Sequence, residues 1–77
     1  MNMTATIRPL GMLKSYIGGK AEIAVETGQT IRQVLQTLGI QPEVVALVFV
    51  NDEQMSKDYI LQDGDKVRLM AIIGGGA

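Results

Sequence analysis

The sequence holds no cysteine and no histidine, and those two absences remove most side-chain chemistry. There can be no disulfide framework, thiol nucleophile, Cys/His zinc site or Ser-His-Asp arrangement. The hydroxyls of Ser15, Ser56, Tyr16 and Tyr59 therefore have no imidazole to activate them. Tryptophan is missing too, and one phenylalanine and two tyrosines are the only aromatic residues. Positive charge is sparse: Arg8, Lys14, Lys20, Arg32, Lys57, Lys66 and Arg68 are scattered, and eight acidic residues leave a net charge of −1. Neither a basic track nor a stacking platform is offered to nucleic acid. The longest apolar run, Val44 to Val50, suits a strand rather than a membrane span. No apolar h-region accompanies Arg8 and Lys14, so no signal peptide is expected and the cytoplasm is the expected compartment.

What is present fits one small domain. Seventy-seven residues leave no room for a second core. A chain of this size buries only about 60% of its unfolded surface. The composition, 47% hydrophobic and 19% charged, is that of a folded chain.

Met3 to Leu10 alternates loosely up to Pro9 and reads as a first strand. Gly11 and Gly18-Gly19 punctuate a connection that reads as a wide hairpin loop around Leu13, Tyr16 and Ile17. Ala21 to Glu26 alternates cleanly, with Ala21, Ile23 and Val25 on one face, and reads as a second strand. Thr30 is a suitable N-cap, and Gln33 completes a capping box. Ile31, Val34, Leu35 and Leu38 then form one helical stripe, ended by Gly39 and Pro42. Leu47 to Val50 reads as a central strand covered on both faces, closed by an Asn51-Asp52 turn. Lys57 to Leu61 reads as a short strand or a turn. Asp63-Gly64-Asp65 is a turn before a final strand, Val67 to Ile73, which would turn Val67, Leu69 and Ala71 inward.

Two antiparallel strands, a helix and two or three more strands make an α+β pattern, with one helix laid on one sheet. The expected architecture is a β-grasp, ubiquitin-like roll with a four- to five-stranded mixed sheet and one main helix. Residues 1–73 form the domain, and 74–77 form a glycine-rich tail.

Candidate chemistry in the side chains is thin. Asp63 with Asp65, and Asp52 with Glu53, read as solvated turn carboxylates, too few to hold a metal. The Gly74-Gly75-Gly76-Ala77 ending has two readings. It is either a plain tail or a thread, free of β-carbons as far as Gly76, that can enter a narrow channel. From Ile73 to Ala77 an extended chain reaches roughly 16 Å.

The order Thr30 to Ile40, then Val48-Phe49-Val50-Asn51, then Leu61-Gln62-Asp63-Gly64-Asp65-Lys66-Val67 and a terminal Gly-Gly resembles the MoaD/ThiS sulfur-carrier family. That family comprises the small subunit of molybdopterin synthase and the sulfur carrier of thiamine synthesis. The resemblance implies a carrier, not an enzyme. An adenylyltransferase related to ubiquitin-activating enzymes would use ATP and magnesium to activate the terminal glycine carboxylate. A sulfur donor would then leave a thiocarboxylate for a sulfur-accepting biosynthetic enzyme. No cofactor is expected on the chain itself. The reactive glycine falls on Gly76, preceded by Gly75, and Ala77 is one residue extra. Either a peptidase removes Ala77 or the chain is charged poorly or not at all. The family's glycine after the strand asparagine is Asp52 here.

The hydrophobic content exceeds what a helix-on-sheet core should absorb. Phe49, Met70 and Ile72 are the expected surplus on the outer face, with Arg68 at their edge and Gly74 beyond, as a surface for docking a larger enzyme. The competing expectation shifts the register by one residue and puts the three apolar residues in the core. Two functional readings stand beside the carrier: an interaction domain without acyl chemistry, and a modifier joined to lysines.

Overall fold

Thr4, Thr6 and Arg8 alternate with the buried Ala5, Ile7 and Pro9, and this period of two makes the first strand, β1 (Thr4–Pro9). The computed structural model describes residues 3–71, and the sheet and helices are those of that stretch. After β1 come a 3-10 helix (Gly11–Ile17), β2 (Ile23–Glu26), α1 (Ile31–Leu38) and a 3-10 turn (Pro42–Val44). The chain continues through β3 (Val45–Val50), β4 (Glu53–Gln54) and β5 (Lys66–Ala71). The sheet order is β2-β1-β5-β3-β4, with β1 and β5 parallel and the other pairs antiparallel. A mixed five-stranded sheet clasping one α-helix is the expected β-grasp architecture.

Helix α1 is delimited as its sequence dictates. Thr30 Oγ1 accepts from the Gln33 N–H at 3.1 Å, and Gln33 Oε1 accepts from the Thr30 N–H at 2.8 Å. Two further N–H groups of the first turn, those of Ile31 and Arg32, donate to the carbonyls of Tyr59 and Lys57. Gly39, at φ 80°, closes the helix in the left-handed conformation. Ile31, Val34 and Leu35 are buried against Ile7, Val67 and Leu69 of the sheet, while Leu38 is half-buried at the margin.

Several elements differ from the sequence-based expectation. The connection after β1 is a 3-10 helix rather than an open hairpin loop, because Leu13 and Ile17 are buried by it. β2 begins at Ile23, leaving Ala21 exposed outside the ladder. β3 starts two residues earlier than expected, at Val45, and carries a register irregularity between Val45 and Leu47. It is also covered on one face only: Val48 and Val50 are buried, Leu47 and Phe49 half-buried. β5 is the central strand. Lys57 to Leu61 holds one isolated bridge, Ile60 to Thr30, and otherwise serves as a backbone lid on the start of α1. Glu53, expected in a turn, instead pairs with Val50 in β4. The turn between β3 and β4 is just Asn51 and Asp52, at φ 52° and 71°, the positive values a two-residue hairpin requires.

Candidate functional site

The sheet face opposite α1 carries the side chains that β3 and β5 turn away from the core. Leu47 stands opposite Met70, and Phe49 opposite Arg68. All four are half-buried and none belongs to the buried cluster. The inward set on β5 is Val67 and Leu69, with Ala71 packed beside them, so the shifted register is excluded for Phe49 and Met70. Ile72, Gly74, Gly75, Gly76 and Ala77 lie outside the described residues.

Arg68 is held in place from two sides. Its guanidinium carbon lies 5.3 Å from the centroid of the Phe49 ring, a cation–π distance. Its Nη2 donates to Asp52 Oδ1 at 2.9 Å. Both partners of this ion pair are solvated, so it orients more than it stabilises. Arg8 is the register neighbour of Arg68 on β1, and with Lys66 these three cations line a shallow depression that Glu22 and Asp52 border.

The turn that supplies Asp52 is itself anchored by a buried carboxylate. Asp65 is 6% exposed, although the surrounding turn is solvated. Its Oδ1 accepts from Asn51 Nδ2 at 2.9 Å, and its Oδ2 accepts from the Tyr59 hydroxyl and the Gln62 N–H, both at 2.8 Å. Asn51 Oδ1 in turn accepts from the Lys66 N–H at 3.0 Å. Burial alone would push the Asp65 carboxyl up; the bonds from Gln62, Tyr59 and Asn51 together outweigh it and hold the group below the ordinary aspartate value. The Tyr59 hydroxyl is pushed up, first by its bond to Asp65, then by desolvation and nearby negative charge. Asp65 is thus a structural hub, where the sequence suggested only a solvated turn.

Sequence reasoning missed Asp65, Asn51 and Tyr59 as a unit. Asn51 sits in the β3–β4 turn while Tyr59 and Asp65 belong to the long connection before β5, and no local pattern joins them. Leu47 was within reach: it precedes Phe49 by two and must share its face. Among the described residues, no group of three or more acidic side chains is placed to hold a metal. No helix among them is long and apolar enough to cross a membrane.

A mixed sheet gripping one helix, with an apolar and cationic patch on its open face, defines a ubiquitin-like roll. The ThiS family model matches residues 10–76, and the chain belongs to that family of small sulfur carriers. No curated protein matches the chain. Among solved structures it is similar to molybdopterin converting factor subunit 1 from Pyrococcus furiosus, with 17% identity, a TM-score of 0.70, and coverage of 94% of this chain and 100% of that one. SAMP1 from Haloferax volcanii aligns with 18% identity and a TM-score of 0.67, over 95% of this chain and 99% of that one. Urm1 from Trypanosoma brucei aligns with 20% identity and a TM-score of 0.70, over 96% of each chain. These identities establish the shared fold alone.

Proposed function

We propose that the chain carries sulfur as a thiocarboxylate on Gly76, after removal of Ala77. The supporting observation is the family match, which runs to Gly76 and leaves Ala77 outside it. In the proposed sequence the glycine carboxylate attacks the α-phosphorus of ATP and releases pyrophosphate. Sulfide then attacks the acyl carbon and displaces AMP, so a carbon–sulfur bond replaces the carbon–oxygen bond to the phosphate and leaves the thiocarboxylate. ATP and magnesium belong to the partner, an adenylyltransferase related to ubiquitin-activating enzymes. Glycine suits the attacked position because a β-carbon beside the carboxylate would crowd a narrow channel. The chain has no cysteine, so no side chain of its own competes for the sulfur.

Docking is assigned to Phe49, Arg68 and Met70, joined by Leu47, with Ile72 and Gly74 leading to the reactive end. Met and Phe supply adaptable apolar contact, and Arg68 gives the patch an orientation. The same surface serves in turn the activating enzyme and the sulfur-accepting enzyme.

The test compares full-length, Gly76-ending and Gly75-ending forms incubated with the activating enzyme, ATP, magnesium and sulfide. Intact mass should show oxygen-to-sulfur exchange on the Gly76-ending form. Equal charging of full-length protein would refute the need for trimming. Failure of every form, with the enzyme active on another carrier, would leave an interaction domain without acyl chemistry.

A further inference from the structure

The two edges of the sheet are protected very differently. At one edge β4 contributes only Glu53 and Gln54, short and hydrophilic, which blunts that side. At the other, β2 presents Ile23-Ala24-Val25-Glu26 with no proline, lysine or bulge. Its free backbone groups follow from the ladder. The N–H groups of Thr6 and Leu10 donate to the carbonyls of Asp65 and Leu69, so these residues of β1 turn their backbone toward β5. Ala5 and Ile7 therefore turn toward β2, where they pair with Val25 and Ile23. Ala24, between those two, directs its N–H and C=O outward along the open edge. The Glu26 N–H points the same way, while its carbonyl accepts from Gln29 Nε2 at 2.9 Å.

Beside this edge runs a groove between β2 and the end of α1, with Ile23, Val25 and Leu38 half-buried along it. On the opposite side of the strand, Glu22, Ala24 and Glu26 are exposed. Neither glutamate is in an ion pair among the described residues. We infer that the β2 edge accepts an extended peptide segment that alternates apolar and basic residues. Backbone pairing with Ala24 would extend the sheet by one strand, and alternate side chains would fall to opposite faces. The apolar ones enter the groove against Ile23, Val25 and Leu38. The basic ones stand over Glu22 and Glu26. This surface is on the far edge of the sheet from β3, so its occupation needs no acyl chemistry and stands or falls separately from the carrier reading.

The experiment titrates full-length, nitrogen-15-labelled protein with acetyl-Lys-Val-Lys-Val-Lys-amide, and in parallel with acetyl-Glu-Val-Glu-Val-Glu-amide. Saturable shifts centred on the Ala24 and Glu26 amides, with slowed exchange of the Ala24 N–H, are expected with the basic peptide alone. The double variant Glu22→Lys with Glu26→Lys alters only exposed side chains. It should weaken that peptide by roughly three- to tenfold and favour the acidic one. No saturable shift, equal binding of the two peptides, or shifts centred on Phe49 and Met70 would overturn the inference. So would β2 shifts that appear on raising protein concentration alone, which would make a second copy the occupant.

Discussion

The Asn51 side-chain amide donates to Asp65 Oδ1 at 2.9 Å, tying the tip of the β3–β4 hairpin to a carboxylate at the foot of β5. Each link outward depends on the one before. Asp65 fixes Asn51, the turn sets Asp52, Asp52 holds Arg68, and Arg68 lies over Phe49. A buried charge on the inner side of the hairpin thereby shapes the outer face.

Tyr59→Phe should lower stability by about 1–3 kcal/mol, since a hydroxyl bond to an ionised group is lost and the carboxylate stays buried. Asp65→Asn should cost at least as much, because an amide keeps one accepting oxygen and turns an NH2 toward a donor that the second carboxylate oxygen now serves. Urea denaturation of the two variants and the double variant measures the coupling. Additive losses would show that the two groups act independently.

Acid sensitivity follows from the same carboxylate. Its folded value lies below the unfolded one of about 3.9, so its contribution is fully present above that pH. It is lost as pH falls through the lower, folded value. Tyr59 has the opposite sign: its folded value lies above about 10, so its contribution holds below pH 10 and is lost as pH rises through the folded value. Stability measured against pH should therefore decline more shallowly in acid for Asp65→Asn than for the natural chain, and more shallowly in alkali for Tyr59→Phe.

Leu35 has no exposed surface and packs in the central cluster beneath α1. Leu35→Ala should cost about 2–5 kcal/mol by leaving a cavity. Thermal melting indistinguishable from the natural chain would show that the helix stripe does not form the core.

Met70→Asp should leave the melting curve almost unchanged, because the side chain faces outward, yet weaken capture by the activating enzyme at least tenfold. Leu69→Asp, one residue away on the buried face, should unfold the protein. Calorimetry of both variants separates docking from folding. Equal loss of stability would place Met70 in the core and remove the docking surface.

Asp52→Gly isolates the hairpin. Glycine relieves the φ of 71° but removes the acceptor for Arg68. Stability should change by less than about 1 kcal/mol, and the Phe49 ring resonances should shift as Arg68 is released.

Helix α1 was legible in full because its signals are local: Thr30 with Gln33, a stripe at helical spacing, and Gly39. The inward set on β5 was equally legible from alternation. The 3-10 helix was not, since Leu13 and Ile17 show no extended periodicity and are defined only by the core they cover. β4 escaped notice because two polar residues carry no strand pattern; Val50 and Phe49 recruit them. Asp65 was undervalued for a related reason. The Gln62 bond is local to its turn, but the partners at 51 and 59 reach it only through the closed fold.

The place of β5 in the sheet has a kinetic consequence. It is synthesised after every other element described, yet it lies between β1 and β3 and supplies Val67 and Leu69 to the core. Until Lys66–Ala71 clears the ribosome, the β1–β2 hairpin and β3 have no common partner, and α1 has little to rest on. Folding therefore waits on the long-range β1–β5 pairing, the slow kind of contact to form. A nascent chain stalled before β5 would therefore remain exposed to proteolysis, so that only molecules extending through Ala71 accumulate as folded protein.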